Sequence, residues 1–497
     1  MPTFAVEKNP GAGDEHRPLL PSTPGRKNRH QRRARAALGR VCETISWAFF
    51  LGFALCAFID MYFHRGAWWW PDSDLSAASL ETCAWSHLAP HVGLLDVAPI
   101  GREEYLRRQA TLAGELRAAG ADAFIAEPSA SSAYYANVSY EFDLSERPFL
   151  IIVDKDAQFS YLVPKFEAGR IAGLEMVYSD KTVIEWAEEE SPYEVLAKAT
   201  GYSKIVLDEH ARFMIAAGLQ KAGVEVVPMN EAIQSLRSVK TEAEIEILKG
   251  VNSFTLELVR SLQKCIKVGL TQETVVTSAE ALFTRAGVGR GFWSIVLFGD
   301  QAAYPHGGKH GKTLEEGEYV LIDIGSKLHD YGSDVTRTVL PAGGQVSDEL
   351  RGVWKTVYES QAAGFNLMHP NETCSEVDSA SRKPVSDAGY AEFYTHRLGH
   401  GLGLEMHEHP YLNGANSERL RIGQVVSNEP VSLPTIMTGC PSNNTADMAQ
   451  GIYVTSEQAY KVGREVGFGV RLEDPILVTM KGGVPLTGSR ATSPYEP

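Results

Sequence analysis

The chain has 497 residues, 44% of them hydrophobic and 22% charged, with a formal net charge of −15. That length accommodates two or three domains with their own cores, and the acidic balance argues against nucleic acid as the main partner. Six cysteines (Cys42, Cys56, Cys83, Cys265, Cys374 and Cys440) stand apart with no C-x-x-C spacing. This excludes a cysteine zinc site and a dense disulfide scaffold, and leaves the redox compartment open.

Residues 1–40 are rich in Pro, Gly and Arg and lack apolar periodicity, which predicts a disordered basic tail. Seven basic residues crowd Arg26–Arg40 without an acid among them. Residues 43–63 follow as a transmembrane signal-anchor. The uncharged run Ile45–Ile59 has 15 residues, and extension to Phe63 gives 19 with Asp60 near one end, against the ~20 that a bilayer requires. Trp68-Trp69-Trp70 suits an interfacial aromatic belt. The basic flank predicts a cytoplasmic N-terminus, a single pass, and a lumenal or extracellular catalytic part. A signal peptide and a buried helix are the other readings of this stretch. Three glycosylation triplets, at Asn137, Asn371 and Asn443, fit the topology. Residues 64–98 read as a linker.

Over 99–232 a charged helix, Glu103–Ala119, is followed by short apolar strands at Ala123–Ala126, Phe149–Val153, Lys204–Leu207 and Val224–Val227. The alternation predicts an α/β domain. It holds no nucleotide loop or catalytic cluster, so it reads as a scaffold forming one wall of a site. Thr241-Glu-Ala-Glu244 is a capping box that opens a long helix to about Leu262. Residues 239–490 then carry the chemistry.

That chemistry centres on two strands, Tyr319–Ile324 and Asp334–Leu340, joined by a short polar turn. On the first strand Leu321 and Asp323 point one way, and on the second Asp334, Thr336 and Thr338 share a face. A carboxylate within Val-Leu-Ile-Asp-Ile is costly to bury unless a positive group neutralises it. Turn capping or pairing with Arg337 would serve, and so would a metal ion. Four further signals accompany the two aspartates. They are Pro305-His306, the run His396-Arg-Leu-Gly-His400 to His407-Glu408-His-Pro410, Asn428-Glu429-Pro430, and Arg471-Leu-Glu473-Asp474. Together these supply four carboxylates and an imidazole beside strand-like segments. Such an oxygen-rich set suits Mn²⁺, Zn²⁺ or Co²⁺, and four carboxylates neutralise two divalent ions. Two ions would bridge a hydroxide and make it a nucleophile at neutral pH. His306, His396 and His407 remain as imidazoles to hold an oxyanion or move protons.

Over about residues 99–490 this pattern resembles the pita-bread metallopeptidases, in the branch of Xaa-Pro aminopeptidases and prolidases. The resemblance implies an α/β (α+β) chain: a creatinase-like N-terminal domain over 99–232 and a pita-bread catalytic domain over 239–490, behind the single-pass anchor. It implies Asp323, Asp334, His400, Glu429 and Glu473 as ligands of two divalent ions, manganese foremost, with Asp334 and Glu473 bridging. Glu429 would also serve as general acid/base, His306 and His407 as substrate-side histidines, His396 as the extra histidine of the proline-specific branch, and Arg471 as a supporting arginine. The implied activity is hydrolysis of N-terminal Xaa-Pro bonds by aminopeptidase or dipeptidase action. The implied partners are a peptide with proline at its second position, the membrane through 43–63, and a second copy of the chain in a homodimer, with no nucleic acid. A lyase acting on a small osmolyte and an inactive binding module are the rival functions for the same scaffold.

One departure stands out. The family string Glu-Pro-Gly-(Ile/Val)-Tyr is interrupted after Glu429-Pro430 by Val431–Gln450 and resumes at Gly451-Ile-Tyr453. Those 20 residues equal 60 nucleotides. Val-Ser can be encoded by a common intron start and Gln by a common intron end. The stretch therefore reads either as a translated intron or as a loop insertion.

Overall fold

The computed structural model describes residues 75–142, 146–176, 183–304, 307, 310–394, 397–430 and 452–497. The basic tail, the expected anchor over 43–63, His306, His396 and the stretch 431–450 lie outside the described residues. Among the described residues no helix is long and apolar enough to cross a membrane.

The expected linker over 64–98 needs correction, because its described part is helical. Helix α1 (Ala77–Leu88) is capped by Ser76 and buries Leu80, Ala84 and Leu88, a single stripe at four-residue spacing. Its Cys83 forms a disulfide with Cys265, 182 residues further on. A stripe of one Leu, one Ala and one Leu is a weak signal in sequence, and the packing of α1 on the later helices decides the matter.

The N-terminal half is built on a six-stranded sheet. Its strands are β1 (Ala123–Ala126), β2 (Leu150–Asp154), β3 (Phe159–Pro164), β4 (Val183–Trp186), β5 (Lys204–Leu207) and β6 (Glu225–Pro228), in the order β4-β3-β2-β1-β5-β6. Strand β1 runs antiparallel to β2 and parallel to β5. Alternate side chains feed two apolar layers. Phe124, Ile151, Val153, Tyr161 and Val206 join one core; Ile125, Leu150, Ile152, Leu162 and Ile205 join the other. Helix α2 (Arg102–Ala118) covers the first layer through Leu112 and Leu116. The helices α4 (Pro192–Thr200) and α5 (Phe213–Lys221) cover the second through Leu196, Ile215 and Leu219. A short helix, α3 (Ala130–Ala136), follows β1 and is opened by a capping box at Ser129.

Helix α6 (Glu231–Ser238) leads into the long α7 (Glu242–Cys265), where Thr241 and Glu244 make the expected capping box. Helix α8 (Gln272–Arg285) follows. Strands β7 (Trp293–Phe298), β8 (Val320–Gly325) and β11 (Val335–Val339) form an antiparallel sheet in the order β11-β8-β7. A two-stranded ribbon, β9 (Lys327–Leu328) with β10 (Tyr331–Gly332), occupies the turn between β8 and β11. Val320, Ile322 and Ile324 of β8 enter the core shared with α7 and α8, and Leu321 packs on the opposite side with Leu297 and Tyr453. Asp323 follows Leu321 onto that second face by the two-residue period.

Helices α9 (Asp348–Asn366) and α10 (Cys374–Asp387) back a second antiparallel sheet, β13-β12-β14-β17-β18. Its strands are β12 (Gly399–Gly401), β13 (Glu408–Leu412), β14 (Val425–Asn428), β17 (Asp474–Thr479) and β18 (Gly482–Pro485). The ribbon of β15 (Ile452–Val454) and β16 (Phe468–Val470) completes the half. Asp72–Pro497 forms one compact unit.

Candidate metal centre

The two sheets of the C-terminal half present their acids to one another. Asp323 lies opposite Thr336 in the β8–β11 register. The Thr336 hydroxyl donates to Glu473 Oε2 at 2.7 Å, and the Glu473 amide donates to the Thr336 carbonyl at 3.0 Å. One threonine thus joins the two sheets at the site. Beneath them Arg337 donates to Asp474 at 2.6 Å, both side chains fully buried. That pair fixes the start of β17 and leaves Glu473 facing the cavity. Asp334 precedes β11 and donates its backbone N–H to Asn252 Oδ1 of α7 at 2.9 Å.

His400 sits in the middle of β12, not in a turn. The glycines on either side of it are there for space. A side chain on Gly399 would strike the Ser427 carbonyl, and one on Gly401 the His409 carbonyl. His400 Nδ1 lies 3.0 Å from the Gly401 carbonyl, which sets it as the N–H side of the ring. Nε2 therefore presents its lone pair toward Glu429 Oε1 at 2.9 Å and Asp334 Oδ2 at 3.6 Å. Glu429 follows β14 and accepts from the Ser427 hydroxyl at 2.9 Å.

Six side chains form overlapping groups whose ligand atoms lie within 4.8 Å of one another: Asp323, Asp334 and Glu473; His400, Glu429 and Glu473; and Asp334, His400 and His407. The four acids and His400 are buried, and His407, whose ring centroid is 4.1 Å from that of His400, is half-buried. Burial holds the carboxyls of Asp334, Glu429 and Glu473 above the usual carboxylate range, and repulsion from neighbouring acids adds to it for Asp334 and Glu473. Asp323 Oδ1 and Glu473 Oε1 are buried without a hydrogen-bond donor among the described residues. Buried, unneutralised oxygens on several crowded acids are what a pair of divalent cations would satisfy.

Arg471 is fully buried behind the acids. Its Nη2 rests against Asp323 Oδ2, its Nε donates to Thr336 at 2.9 Å, and its Nη1 donates to the Tyr453 hydroxyl at 2.7 Å. Burial pulls its guanidinium down to about 10. Of the site residues expected from sequence, Asp323, Asp334, His400, His407, Glu429, Arg471 and Glu473 come together, and His306 and His396 lie outside the described residues. Sequence reasoning passed over Tyr453, Thr336, Ser427 and Asn252 as parts of the site. Only Tyr453 carried a signal, as the last residue of the interrupted Glu-Pro-Gly-Ile-Tyr string.

A model of metallopeptidase family M24 matches residues 246–480. An uncharacterized peptidase of Schizosaccharomyces pombe is 39% identical over 412 residues, covering 80% of this chain and 84% of that protein. Among solved structures, a dipeptidase from Mycobacterium ulcerans superposes with a TM-score of 0.66 at 26% identity, over 78% of this chain and 97% of its own. An Xaa-Pro dipeptidase from Bacillus anthracis gives 0.61 at 25% identity, over 78% and 98%. These likenesses support the mixed α/β pita-bread architecture expected from the resemblance. Relatedness that runs through most of both chains, and through the segment bearing the clustered acids, puts this protein in metallopeptidase family M24, in its prolidase and Xaa-Pro aminopeptidase branch, as a metallo-exopeptidase.

Proposed function

We propose that the protein hydrolyses the peptide bond preceding a proline at the second position of a peptide, with two divalent ions held by Asp323, Asp334, His400, Glu429 and Glu473. The observation that carries this reading is the overlap of three donor groups through shared Asp334, His400 and Glu473. One shared set of carboxylates is how a protein holds two like charges close together. The oxygen-rich donors with one imidazole suit manganese, with zinc and cobalt as the other fits. When bound, such ions supply positive charge that polarises the scissile carbonyl and acidifies water.

The chain's own groups then have separable tasks. Glu429, held by Ser427 and with its carboxyl pushed upward by burial, takes a proton from the attacking water and delivers it to the proline nitrogen as the bond breaks. His407, half-buried beside His400, donates a hydrogen bond to the developing oxyanion. Arg471 and Thr336 hold Asp323 and Glu473 in place. An Xaa-Pro amide has no N–H to offer a peptidase backbone, so a site that works through the carbonyl and the nitrogen alone suits it. The resemblance makes His306 a second substrate-side histidine and His396 the extra histidine of the proline-specific branch.

We also propose that residues 43–63 anchor the chain once through a membrane with the catalytic part lumenal or extracellular. Support comes from the Cys83–Cys265 disulfide, which persists in oxidising compartments, and from the exposed glycosylation sites Asn137 and Asn371.

The experiment for the reaction is an assay of the purified Mn²⁺-loaded chain on Ala-Pro, Ala-Pro-Ala and Ala-Ala. Hydrolysis of a proline peptide at least tenfold above Ala-Ala is expected, with about two Mn²⁺ per chain by elemental analysis. Equal cleavage of Ala-Ala, or one metal or none per active chain, would overturn the specificity or the metal count.

A further inference from the structure

His407 ends the turn 402–407 between β12 and β13, and that turn has no helix or strand of its own. The His407 carbonyl accepts from the Tyr411 hydroxyl at a long 3.5 Å. The acids on either side of it are held more firmly. Glu405, two residues before, lies 2.5 Å from His210 Nε2 and accepts from Arg237 Nη2 at 2.7 Å. Glu408, one residue after, pairs with the Lys240 ammonium, and both of these side chains are buried. Lys240 also donates to the carbonyls of Arg237 at 2.8 Å and Ser238 at 3.2 Å, which uses all three of its protons. Gly403 leaves the room for this pair, since a side chain there would strike Glu408 Oε1 and Lys240 Cε.

The partners of both acids come from outside the catalytic sheets. His210 stands in the turn after β5, Arg237 in the last turn of α6, and Lys240 in the link between α6 and α7. Arg237 also reaches Glu209, the neighbour of His210, at 3.3 Å, so the turn and the helix are themselves tied together. Burial opposes the charge on Glu405, yet His210 and Arg237 hold its carboxyl down to about 2. A buried ion pair adds little net stability over an apolar pair of the same size. Stability alone therefore does not account for two such pairs astride one histidine. Position does, because a misplacement of about 1 Å in a reacting geometry costs on the order of a hundredfold in rate.

We propose that the Arg237–Glu405 and Lys240–Glu408 pairs position His407 for the reaction, with Arg237 and Lys240 acting through the acids that bracket it. This rests on the reading above, in which His407 meets the developing oxyanion, and deepens it. The N-terminal half and the link that follows it then take part in turnover, because the turn that carries His407 is clamped from their side.

The test reads kcat and KM on whichever of Ala-Pro and Ala-Pro-Ala the natural chain cleaves faster. It also reads metal content, and the place of the His407 ring in crystal structures of the Mn²⁺-loaded natural chain and its variants. Lys240→Met/Glu408→Leu removes both buried charges together, so no unpaired ion is left to unfold the chain. Glu405→Gln loosens the other pair at a half-buried position. Each variant should keep its metal and lose about ten- to hundredfold in kcat, with KM changed far less. The His407 ring should be moved or split between two positions while His400 stays in place. In a His407→Ala background the same changes should cost nothing further, since effects that run through one residue do not multiply. Multiplying effects, or an unmoved His407 ring in both variants, would overturn the positioning role. A displaced ring in variants of a chain that hydrolyses no Xaa-Pro peptide would leave the positioning standing and sink the reaction. Xaa-Pro hydrolysis with an unmoved ring would do the reverse.

Discussion

Asp334 is the residue on which two of the donor groups depend. Asp334→Ala removes an acid that two donor groups share, so the cations that would neutralise Glu473 and Glu429 lose a ligand. Metal content should fall to background, and activity should drop by at least a thousandfold; retained stoichiometric metal would argue against a ligand role. The neighbouring acids also set a pH dependence. Burial pushes the Glu473 carboxyl up to about 7 and that of Glu429 up to about 8, whereas an unfolded glutamate ionises near about 4.3. Between those values the unfolded chain has released protons that the metal-free folded chain still holds. The metal-free protein therefore loses stability as pH rises from about 4.5 through about 8. Chelated protein should melt lower at pH 8 than at pH 5.5, and Mn²⁺ should raise the Tm more at pH 8; a rising Tm after chelation would contradict this. Asp323, Asp334, Glu429 and Glu473 were legible in the sequence because carboxylates beside apolar strands are expensive and so conspicuous. Tyr453 and Thr336 were not, because each is an ordinary strand residue until the fold brings Arg471 or Glu473 to it. Tyr453→Phe removes the acceptor for the Arg471 Nη1 donor. It should cost about 1–3 kcal/mol in stability, measured by denaturant unfolding of the metal-loaded protein.

Among the elements, those with strong local signals stand as read from sequence. The capping box at Thr241 opens α7, and Ala123–Ala126 and Lys204–Leu207 are strands with the expected ends. Strands β3 and β4 escaped notice because Phe159–Pro164 and Val183–Trp186 mix polar with apolar residues and owe their state to pairing with β2 and with each other. Helix α1 escaped for a similar reason, as its narrow stripe is meaningful only against α7 and α8. The stretch 431–450 interrupts two elements whose flanks both serve the site. Before it, Glu429 accepts from Ser427, and after it, Tyr453 of β15 accepts from Arg471. Native partners on both sides are what a dispensable insertion would leave. Deleting 431–450 should preserve folding and give activity equal to or above that of the full chain, whereas loss of both would show that the segment belongs to the enzyme. Sequencing the mature transcript across these 60 nucleotides separates a retained intron from a coded insertion.

At the scale of the whole molecule, the anchor and the disulfide can be tested together. Alkaline carbonate should leave the full-length protein in the membrane pellet, and removal of N-glycans should increase its gel mobility; complete release into the soluble fraction would refute the anchor. The Cys83–Cys265 bond closes a loop spanning 182 residues, for which chain entropy sets a ceiling of about 5 kcal/mol. A Cys83→Ser/Cys265→Ser variant should unfold at lower denaturant than the natural chain with little change in kcat. An unchanged midpoint, together with alkylatable thiols at Cys83 and Cys265 in the natural chain, would show that the bond does not form.

That loop also encloses the whole first sheet, from β1 to β6, in a covalent ring. Between residues 84 and 264 a single protease nick cannot separate the N-terminal end, where the anchor is proposed, from the catalytic half, because the sulfur bridge still joins them. Only a cut before Cys83, in the stretch that follows the expected span, would shed the enzyme from a cell surface. Nicked protein should run as one band on a non-reducing gel and as two after reduction. If residues 43–63 anchor the chain as proposed, release of this exopeptidase would require either a protease acting between residues 63 and 83, or two events, a nick and a reductant, in the same place.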